Sequence, residues 1–417
     1  MCSYLFLQGP HGPFFRELGQ VLARAGHRVM RVNLCGGDWA DWPDGLCYHG
    51  RNSDWSAWVA ALMEREGTTD VLMYGDWRPH HRETVHLARL RGIRVWAFDE
   101  GYLRPDWITM EPGGVNGNST LPHTPEGIHE LAAIDTPEEA RHFENPILKR
   151  QVRGFLYAAY SVLGFPFFPF YRTHRPYGHL KEMTFGWIPH IFLHGRQHRR
   201  SDTVLPHLTD RPYYLFPLQL DSDSQVRRYS PFSGMREAIA YVMTSFARSA
   251  PEGTALVIRN HPLDSGLIRY DRFIRSFSRA CGIGDRVLCV ETGNGTAMLR
   301  RSLAVVLLNS TMGIQALEQG KPVFCVGTAV YAMAGLAENA GEDSLDHFWN
   351  SHRRPDMGLV RDFRKAVHRH ALVNGNFYYG EGRKAAVQGC AARLMAAAAL
   401  DAPSAGYQAR CRTGSLE

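Results

Sequence analysis

Two carboxylates lie just beyond an apolar run in the second half of the chain. Asp221 and Asp223 follow residues 213–218, which the apolar pattern predicts to be a buried strand. A carboxylate placed there can attack an anomeric carbon or balance an oxocarbenium-like charge. The alternative is that both are loop acids or helix caps, because Asp and Ser favour turns. A metal site at Asp221-Ser222-Asp223 is the weaker alternative, and we predict no metal.

A third acid, Glu100, follows the strand predicted at residues 95–98. If the two halves of the chain face each other, Glu100 points into the space between them. Glutamate suits a general base that takes a proton from an acceptor hydroxyl, especially where burial raises its pKa. An ion pair between Glu100 and Arg104 that stabilises the loop is an equally favoured interpretation.

Cationic and hydroxyl side chains follow two further predicted strands. Arg259, His261 and Pro262 come after residues 255–258, where Arg or His can neutralise phosphate and carboxylate groups and proline fixes the backbone. Ser310 and Thr311 open a predicted helix, whose free N–H groups suit a phosphate. The alternatives are a loop histidine without a ligand and an ordinary N-cap.

Strands that alternate with helices must position these residues. The first half predicts strands at residues 4–7, 29–34, 71–74 and 95–98, with helices at 14–25, 55–66 and 82–91. The pattern restarts near residue 211, with strands at 213–218, 255–258, 287–290, 303–308 and 323–326 and a helix at 235–249. This alternation predicts an α/β protein with two Rossmann-like, doubly wound halves. Ligands of such sheets bind beyond the carboxyl ends of the strands, where Gly9 also falls.

The same pattern divides the chain into four parts. We expect an N-terminal domain at 1–205, a C-terminal domain at 206–380, a helix at 381–400 and a mobile tail at 401–417. The first domain includes an aromatic and basic helical segment at 150–200. Its aromatic part, 155–171, suits a membrane surface. A helix packed between the domains is the somewhat favoured alternative.

Composition limits the class of protein and of partner. The 417 residues are 44% hydrophobic and 21% charged, which suits two packed domains. A net charge of +6 favours an anionic partner, but no basic block interleaved with aromatics points to nucleic acid. Walker, dinucleotide-binding and zinc motifs do not occur. The N-terminus does not resemble a signal peptide, and the unpaired cysteine pattern favours a reducing, cytoplasmic location.

Several segments, read together, resemble the capsule polysaccharide biosynthesis family of the KpsS/LipB type. In order they are Leu7-Gln8-Gly9-Pro10-x-Gly12-Pro13-Phe14-Phe15, Asn33-x-x-Gly36-Gly37-Asp38, Tyr74-Gly75-Asp76-x-Arg78-Pro79, Glu100-Gly101-Tyr102-x-Arg104-Pro105-Asp106-Trp107-Ile108-Thr109, Val115-Asn116-Gly117, Pro217-Leu218-Gln219-x-x-x-Asp223-Ser224-Gln225, His261-Pro262-Leu263-Asp264 and Asn309-Ser310-Thr311-x-Gly313. Each motif alone is weak, but their joint order from about residue 5 to residue 380 is specific.

The resemblance implies a GT-B-like enzyme with a cleft between its two domains. It implies a retaining β-Kdo transferase, where Kdo is 3-deoxy-D-manno-octulosonic acid. The donor would be CMP-β-Kdo, bound by the C-terminal domain, with no cofactor. The acceptor would be a (lyso)phosphatidylglycerol-type lipid on which the poly-Kdo linker of a capsule begins. The resemblance also implies a peripheral position on the cytoplasmic face of the inner membrane, beside the capsule biosynthesis and export machinery.

The resemblance also assigns roles to single residues. Asp223 matches the acid of the family's Gln-x-x-x-Asp segment and would be the nucleophile of a double displacement, with Asp221 as the fallback. Glu100 would deprotonate the acceptor. The remaining implied contacts are to the donor, from Arg259, His261, Pro262, Ser310 and Thr311, with Gln219 and Asn309 in support and Arg104 and Gly9 as secondary candidates.

Two other functions remain open from the sequence. One is a non-catalytic capsule assembly or export partner that keeps the fold and binds a lipid-linked glycan. The other is a GT-B transferase that uses a different nucleotide sugar. Convergence of the acids and the His-Pro segment on one cleft would favour catalysis over the first alternative.

Overall fold

The computed structural model describes most of the chain. The described residues are 1–134, 140–144, 147–173, 178, 211–221, 224–261, 264, 268–291 and 293–400. Asp223, Pro262, most of the basic part of the 150–200 segment and the predicted tail at 401–417 lie outside these residues.

The first half is built on a seven-stranded sheet. Its strands are β1 (Ser3–Phe6), β2 (Arg28–Asn33), β3 (Leu46–Cys47), β4 (Asp70–Tyr74), β5 (Arg94–Glu100), β6 (Trp107–Pro112) and β13 (Leu372–Asn374). Their order is β13-β6-β5-β4-β1-β2-β3, and β1 to β5 pair in parallel. The β6 strand runs antiparallel to both β5 and β13. The β5–β6 hairpin therefore turns the chain back at the edge where the predicted acid Glu100 lies.

The second half is built on a six-stranded parallel sheet. Its strands are β7 (Tyr213–Pro217), β8 (Ala255–Arg259), β9 (Val287–Val290), β10 (Val305–Leu307), β11 (Val323–Cys325) and β12 (Glu338–Asn339), in the order β12-β11-β10-β7-β8-β9. The predicted pair of Rossmann-like, doubly wound halves is thus confirmed.

Helices cover both sheets, because the strands are apolar on both faces. In the first half they are α1 (Phe14–Arg24), α2 (Gly36–Asp41), α3 (Trp55–Arg65), α4 (Pro79–Leu90), α5 (Pro125–Ala132) and α6 (Ile147–Leu163). In the second they are α7 (Ser224–Arg228), α8 (Met235–Ser249), α9 (Tyr270–Ala280), α10 (Gly295–Arg301), α11 (Met312–Glu318) and α12 (Leu345–Phe348). Two more, α13 (Met357–Ala371) and α14 (Gly380–Leu400), follow.

The chain returns to the first half before its predicted boundary at residue 380. The β13 strand extends the first sheet, and α14 packs against α1 through an apolar cluster that contains Leu18, Leu22, Val387 and Leu394. Arg383 of α14 also pairs with the carboxylate of Glu17 of α1 at 2.9 Å. The first domain consequently includes residues 372–400, because its core needs a helix that the N-terminal segment does not supply.

Two of the motif segments join the halves. The Tyr229 hydroxyl donates to Asp76 Oδ1 at 3.2 Å, which links the loop after β4 to the loop after α7. A Cβ atom on Gly117 would lie 2.1 Å from the Tyr229 ring, so only glycine admits that ring. The Arg228 guanidinium lies 5.1 Å from the Trp77 ring centre, in a cation–π contact. These contacts place the carboxyl ends of both sheets on opposite sides of one cleft.

Candidate functional site

Three arginines from both halves lie close enough to His261 for their charges to act on it. Arg259 ends β8 just before His261, Arg104 lies between β5 and β6, and Arg150 lies on α6. Burial lowers the pKa of His261 to about 4, and the positive charges of Arg104, Arg259 and Arg150 act in the same direction. The imidazole is therefore neutral near pH 7. The positive charge of the site comes from these three guanidinium groups, called the cationic cluster below.

Arg259 is held close to the start of α10. Its Nη2 donates to the Gly293 carbonyl at 3.3 Å, whereas its buried Nε has no hydrogen-bond partner among the described residues. A Cβ atom on Gly295 would lie 3.2 Å from the Arg259 Cζ, so this glycine leaves room for the guanidinium group. Burial lowers the pKa of Arg259. A buried donor without a partner costs free energy, which an anionic ligand accepting from it would recover.

Glu100 faces the same cleft from the end of β5, and its Oε1 atom is shared by three donors. It accepts from Tyr378 at 2.6 Å, from Arg150 Nη2 at 2.7 Å and from Tyr74 at 3.4 Å. The ion pair is thus with Arg150 on α6, and not with Arg104 as the structural alternative had it. Oε2 has no protein donor within the described part of the chain, so it is the oxygen that can receive a proton.

The second-half acids divide between a structural position and an undescribed one. Asp221 Oδ1 accepts from the backbone N–H of Met235 at 2.9 Å, at the start of α8. Its Oδ2 pairs with Arg227 Nη2 at 2.8 Å. These contacts match the interpretation of Asp221 as a helix-capping acid. Asp223, the predicted nucleophile, lies outside the described residues and keeps the status of a prediction.

Gln219 and Asn309 clamp the ends of two neighbouring strands. Gln219 Nε2 donates to Asn309 Oδ1 at 2.9 Å, and the Asn309 N–H donates to Gln219 Oε1 at 3.3 Å. The Asn309 amide also donates to the carbonyls of Gln225 and Tyr229. Both side chains are buried. Their role in the structure is to fix the loops after β7 and β10, which border the cleft.

Ser310 and Thr311 lead into α11. The Met312 N–H donates to Ser310 Oγ at 3.3 Å, and the Tyr331 hydroxyl donates to the Ser310 carbonyl at 2.5 Å. Thr311 occupies the N-cap position, yet its side chain makes no capping hydrogen bond. Thr311 instead lines a small pocket.

That pocket is a small concavity with walls from both halves. Tyr102 and Asn116 line it from the first half, whereas Thr311, Thr328 and Tyr331 line it from the second. The Tyr102 hydroxyl accepts from the Asn116 N–H at 2.7 Å and donates to buried Glu111 at 2.7 Å. Polar groups converge on a partly apolar concavity, which is the usual composition of a small-molecule site.

Gly9, a secondary candidate, has a packing role in the structure. A Cβ atom at this position would lie 2.6 Å from the Phe15 ring. The neighbouring Gln8 belongs to a buried network, in which its Nε2 donates to Asp38 Oδ2 at 2.9 Å. Asp38 also pairs with Arg31 at 3.0 Å and accepts from the Tyr157 hydroxyl at 3.0 Å. The Gly36-Gly37-Asp38 motif thereby fixes α6, which carries Arg150.

Several residues of the site were not assigned a role from the sequence. Arg150, Tyr378 and Glu111 carried no motif signal that pointed to the cleft. Tyr102 and Asn116 lay inside family-like segments. Asn116 has a positive φ of 59°, a backbone conformation that asparagine adopts more often than most residues.

Among the described residues, no group of three His, Cys, Asp or Glu side chains is placed to hold a metal ion. No helix in the described ranges is long and apolar enough to cross a membrane.

The chain thus has a two-half α/β fold in which arginines of both halves lie near one histidine. The chain belongs to the capsule polysaccharide biosynthesis protein family, whose family model matches residues 69–378. It is 35% identical over 386 residues to the capsule polysaccharide export protein KpsS of Escherichia coli, covering 90% of this chain and 97% of that protein. It is 30% identical to the capsule polysaccharide modification protein LipB of Neisseria meningitidis, covering 90% and 91%. The resemblance noted from the sequence is thus confirmed.

Among solved structures, the chain is similar to the β-Kdo 2,7 transferase of Thermosulfurimonas dismutans KpsC. The sequences are 16% identical, the match covers 94% of this chain and 100% of that one, and the TM-score is 0.44.

Proposed function

We propose that this protein is a retaining β-Kdo glycosyltransferase. It transfers Kdo from CMP-β-Kdo to a (lyso)phosphatidylglycerol-type lipid and so initiates the poly-Kdo linker of a capsular polysaccharide. The observation that carries the proposal is the cationic cluster, which brings arginines of both halves around one neutral histidine. Membership of the capsule polysaccharide biosynthesis family supports the substrate class.

The charge of the donor matches the charge of the cleft. CMP-Kdo carries an anionic phosphodiester and an anionic sugar carboxylate. Arg259 has a buried Nε without a partner in the described residues, and it would bind one of these anions. His261, with a pKa lowered to about 4, would donate a hydrogen bond without adding a charge. Thr311 and the two-sided pocket would bind the CMP moiety, with Ser310 beside it. Pro262 stays a predicted donor contact from the sequence.

The first displacement uses Asp223, on the strength of the family-like Gln-x-x-x-Asp segment. A carboxylate oxygen of Asp223 forms a bond to the anomeric carbon while the bond from that carbon to the phosphate oxygen breaks. The electron pair leaves with CMP, which is a good leaving group and needs no strong acid. Asp221 is the weaker candidate, because Met235 and Arg227 occupy its two oxygens.

The second displacement uses Glu100. Its Oε2 takes the proton of the acceptor hydroxyl while that oxygen bonds to the anomeric carbon and Asp223 departs. Two successive inversions give net retention. Arg150 and Tyr378 hold Oε1 and keep the carboxylate oriented. No metal or cofactor takes part in this proposal.

Donor binding tests the cationic cluster directly. CMP should raise the thermal midpoint of the wild-type protein, because a ligand that binds only the native state stabilises it by mass action. Arg259→Gln should lose most of that rise, whereas the control Arg300→Gln, which removes an exposed cation on α10, should keep it. Equal shifts in both variants would contradict the assignment of Arg259, and a larger response to UDP than to CMP would favour another nucleotide sugar.

Transfer itself is tested with CMP-Kdo and lysophosphatidylglycerol. Mass spectrometry should detect a lipid with one added Kdo, and Asp223→Ala and Glu100→Gln should each abolish it. Intact-protein spectra of the wild type with CMP-Kdo alone should show a Kdo adduct that maps to Asp223. No product from wild-type protein with several lipid and glycan acceptors would overturn the proposal. That result would favour a non-catalytic export or assembly partner; the Escherichia coli relative carries the name of an export protein.

A lipid acceptor would require the protein to reach a membrane. We propose a peripheral position at the cytoplasmic face of the inner membrane, beside the other capsule biosynthesis and export proteins. The net charge of +6 supports contact with an anionic surface.

A further inference from the structure

Helix α6 and the turn after it expose a continuous apolar surface. More than half of the large apolar side chains that are exposed in the described residues lie between positions 152 and 170. Leu163 is 72% exposed and Phe167 is 60% exposed. We call this surface the apolar ridge and define it by Phe155, Leu156, Tyr160, Leu163, Phe165 and Phe167.

The ridge is the outward face of a helix that is fixed on its other side. Tyr157 and Ala158 are buried, and the spacing of 155, 156, 160 and 163 is that of one helical face. A Cβ atom on Gly36 would lie 2.2 Å from the Tyr160 carbonyl oxygen, so α2 and α6 touch through their backbones. The favoured expectation of a helix buried between the domains is therefore wrong for this face. Close packing on one side therefore accompanies an exposed apolar face on the other.

The segment that carries the ridge contains basic residues and no acidic residue. Residues 147–173 contain no Asp or Glu, and their cations are Lys149, Arg150, Arg153 and Arg172. Arg51 adds a guanidinium group 5.2 Å from the ring centre of Phe170. Aromatic side chains bordered by Lys and Arg match the interface of an anionic bilayer, where rings enter the headgroup region and cations meet lipid phosphates.

The same helix connects the ridge to the cleft. Arg150, a member of the cationic cluster, precedes Phe155 by five residues, which is a rise of about 7.5 Å along a helix. A bilayer against the ridge would thus lie close to the cleft entrance. That distance suits an acceptor whose reactive hydroxyl belongs to a lipid headgroup.

We propose that the apolar ridge docks this protein on the surface of an anionic lipid bilayer. The proposal rests on the proposed function, since it identifies the surface by which that site would reach its lipid. The proposed contact does not require a membrane-spanning helix, because it involves only one face of α6 and the turn that follows it.

Vesicle co-sedimentation tests the docking surface. Wild-type protein should sediment with vesicles of phosphatidylcholine and phosphatidylglycerol more than with phosphatidylcholine alone. A Phe155→Ser/Leu163→Ser/Phe167→Ser variant should bind at least about tenfold more weakly. The matched control, Leu90→Ser/Tyr241→Ser/Met357→Ser, removes exposed apolar side chains elsewhere and should bind like the wild type. The proposal is overturned if the ridge variant binds vesicles as well as the wild type does. It is overturned in favour of a contact between two copies of the chain if the wild type is a dimer, the ridge variant is a monomer, and both bind vesicles equally.

Two soluble assays separate this proposal from the proposed function. The ridge variant should keep the CMP-dependent thermal shift and the wild-type rate on a short-chain, water-soluble phosphoglycerol acceptor, while it loses transfer to vesicle lipid. Loss of vesicle binding and vesicle transfer alone supports the docking surface. Absence of transfer in every assay, with vesicle binding still dependent on the ridge, overturns the enzymatic proposal and leaves the docking surface intact.

Discussion

Glu111 should make the first half less stable as the pH rises from about 4.5 to about 7. This carboxyl group on β6 is fully buried, and it accepts from Tyr102 at 2.7 Å and from Ser119 at 2.5 Å. Burial raises its pKa from 4.5 to about 7, although the two hydrogen bonds and the charge of Arg393 oppose the rise. Its protonation bears on the ligand pocket, because Tyr102 lines that pocket.

The size of the effect follows from the two pKa values. Between 4.5 and about 7 the native state holds a proton that the unfolded state has released. The free energy of unfolding therefore falls as the pH rises through this range. At about 1.36 kcal/mol per pKa unit, the full loss is ~3 kcal/mol. The contribution is intact below the unfolded pKa and has gone once the pH exceeds the native one.

Glu111→Gln removes the titration and keeps the size of the side chain. Urea unfolding, followed by tryptophan fluorescence at about pH 5 and about pH 8, should show the variant gaining ~2.5 kcal/mol relative to the wild type, because part of the full loss has already occurred at about pH 5. Contributions from other titrating groups cancel in this difference. The control Glu130→Gln, at an exposed carboxylate, should show no such trend. A difference that is constant with pH, or that shrinks, would refute the argument and show an ionised carboxylate stabilised by Arg393 and by His370, whose Nε2 lies 3.7 Å away.

Three substitutions test the contacts that hold the halves and α6 in place. Gly117→Ala should cost about 1–3 kcal/mol by overpacking against Tyr229, seen as a lower thermal midpoint. Gly253→Ala, with nothing within 4 Å of its new methyl group, is the control and should not change it. Tyr229→Phe should cost about 1–3 kcal/mol, because buried Asp76 loses a donor; an unchanged midpoint would mean that the contact between halves is dispensable. Gly36→Ala should increase amide hydrogen exchange in α6 by moving it from α2, and unchanged exchange would contradict the close packing.

Local pattern was enough to predict most of the sheet strands. The run predicted at residues 255–258 is β8, Ala255–Arg259, because a strand buried on both faces is apolar throughout. Trp107–Pro112 and Leu372–Asn374 were not predicted as strands. They pair antiparallel with each other across more than 250 residues, and β13 has only three residues, so its strand conformation depends on a partner rather than on its own sequence.

Residue types at the site were predictable, whereas their partners were not. Glu100, Arg259 and His261 were expected at strand ends because ligands of parallel sheets bind there. The pairing of Glu100 with Arg150 and Tyr378 joins positions 50 and 278 residues apart, which no local spacing can indicate. Asp221 accepts a hydrogen bond at the start of α8, and the sequence had indicated this helix-capping role as an alternative because Asp favours turns and caps.

The return of β13 and α14 to the first sheet bears on the order in which this protein can mature. During synthesis, the first two hundred residues leave the ribosome without the helix that covers one face of their sheet. The apolar cluster that contains Leu18 and Leu22 of α1 would remain incomplete until Val387 and Leu394 had been made. The second half, continuous in sequence, can close its own core sooner. A nascent chain that stops before residue 372 would thus expose an unpaired edge of the first sheet, which chaperones and proteases can recognise. A C-terminal truncation would therefore destabilise the N-terminal domain.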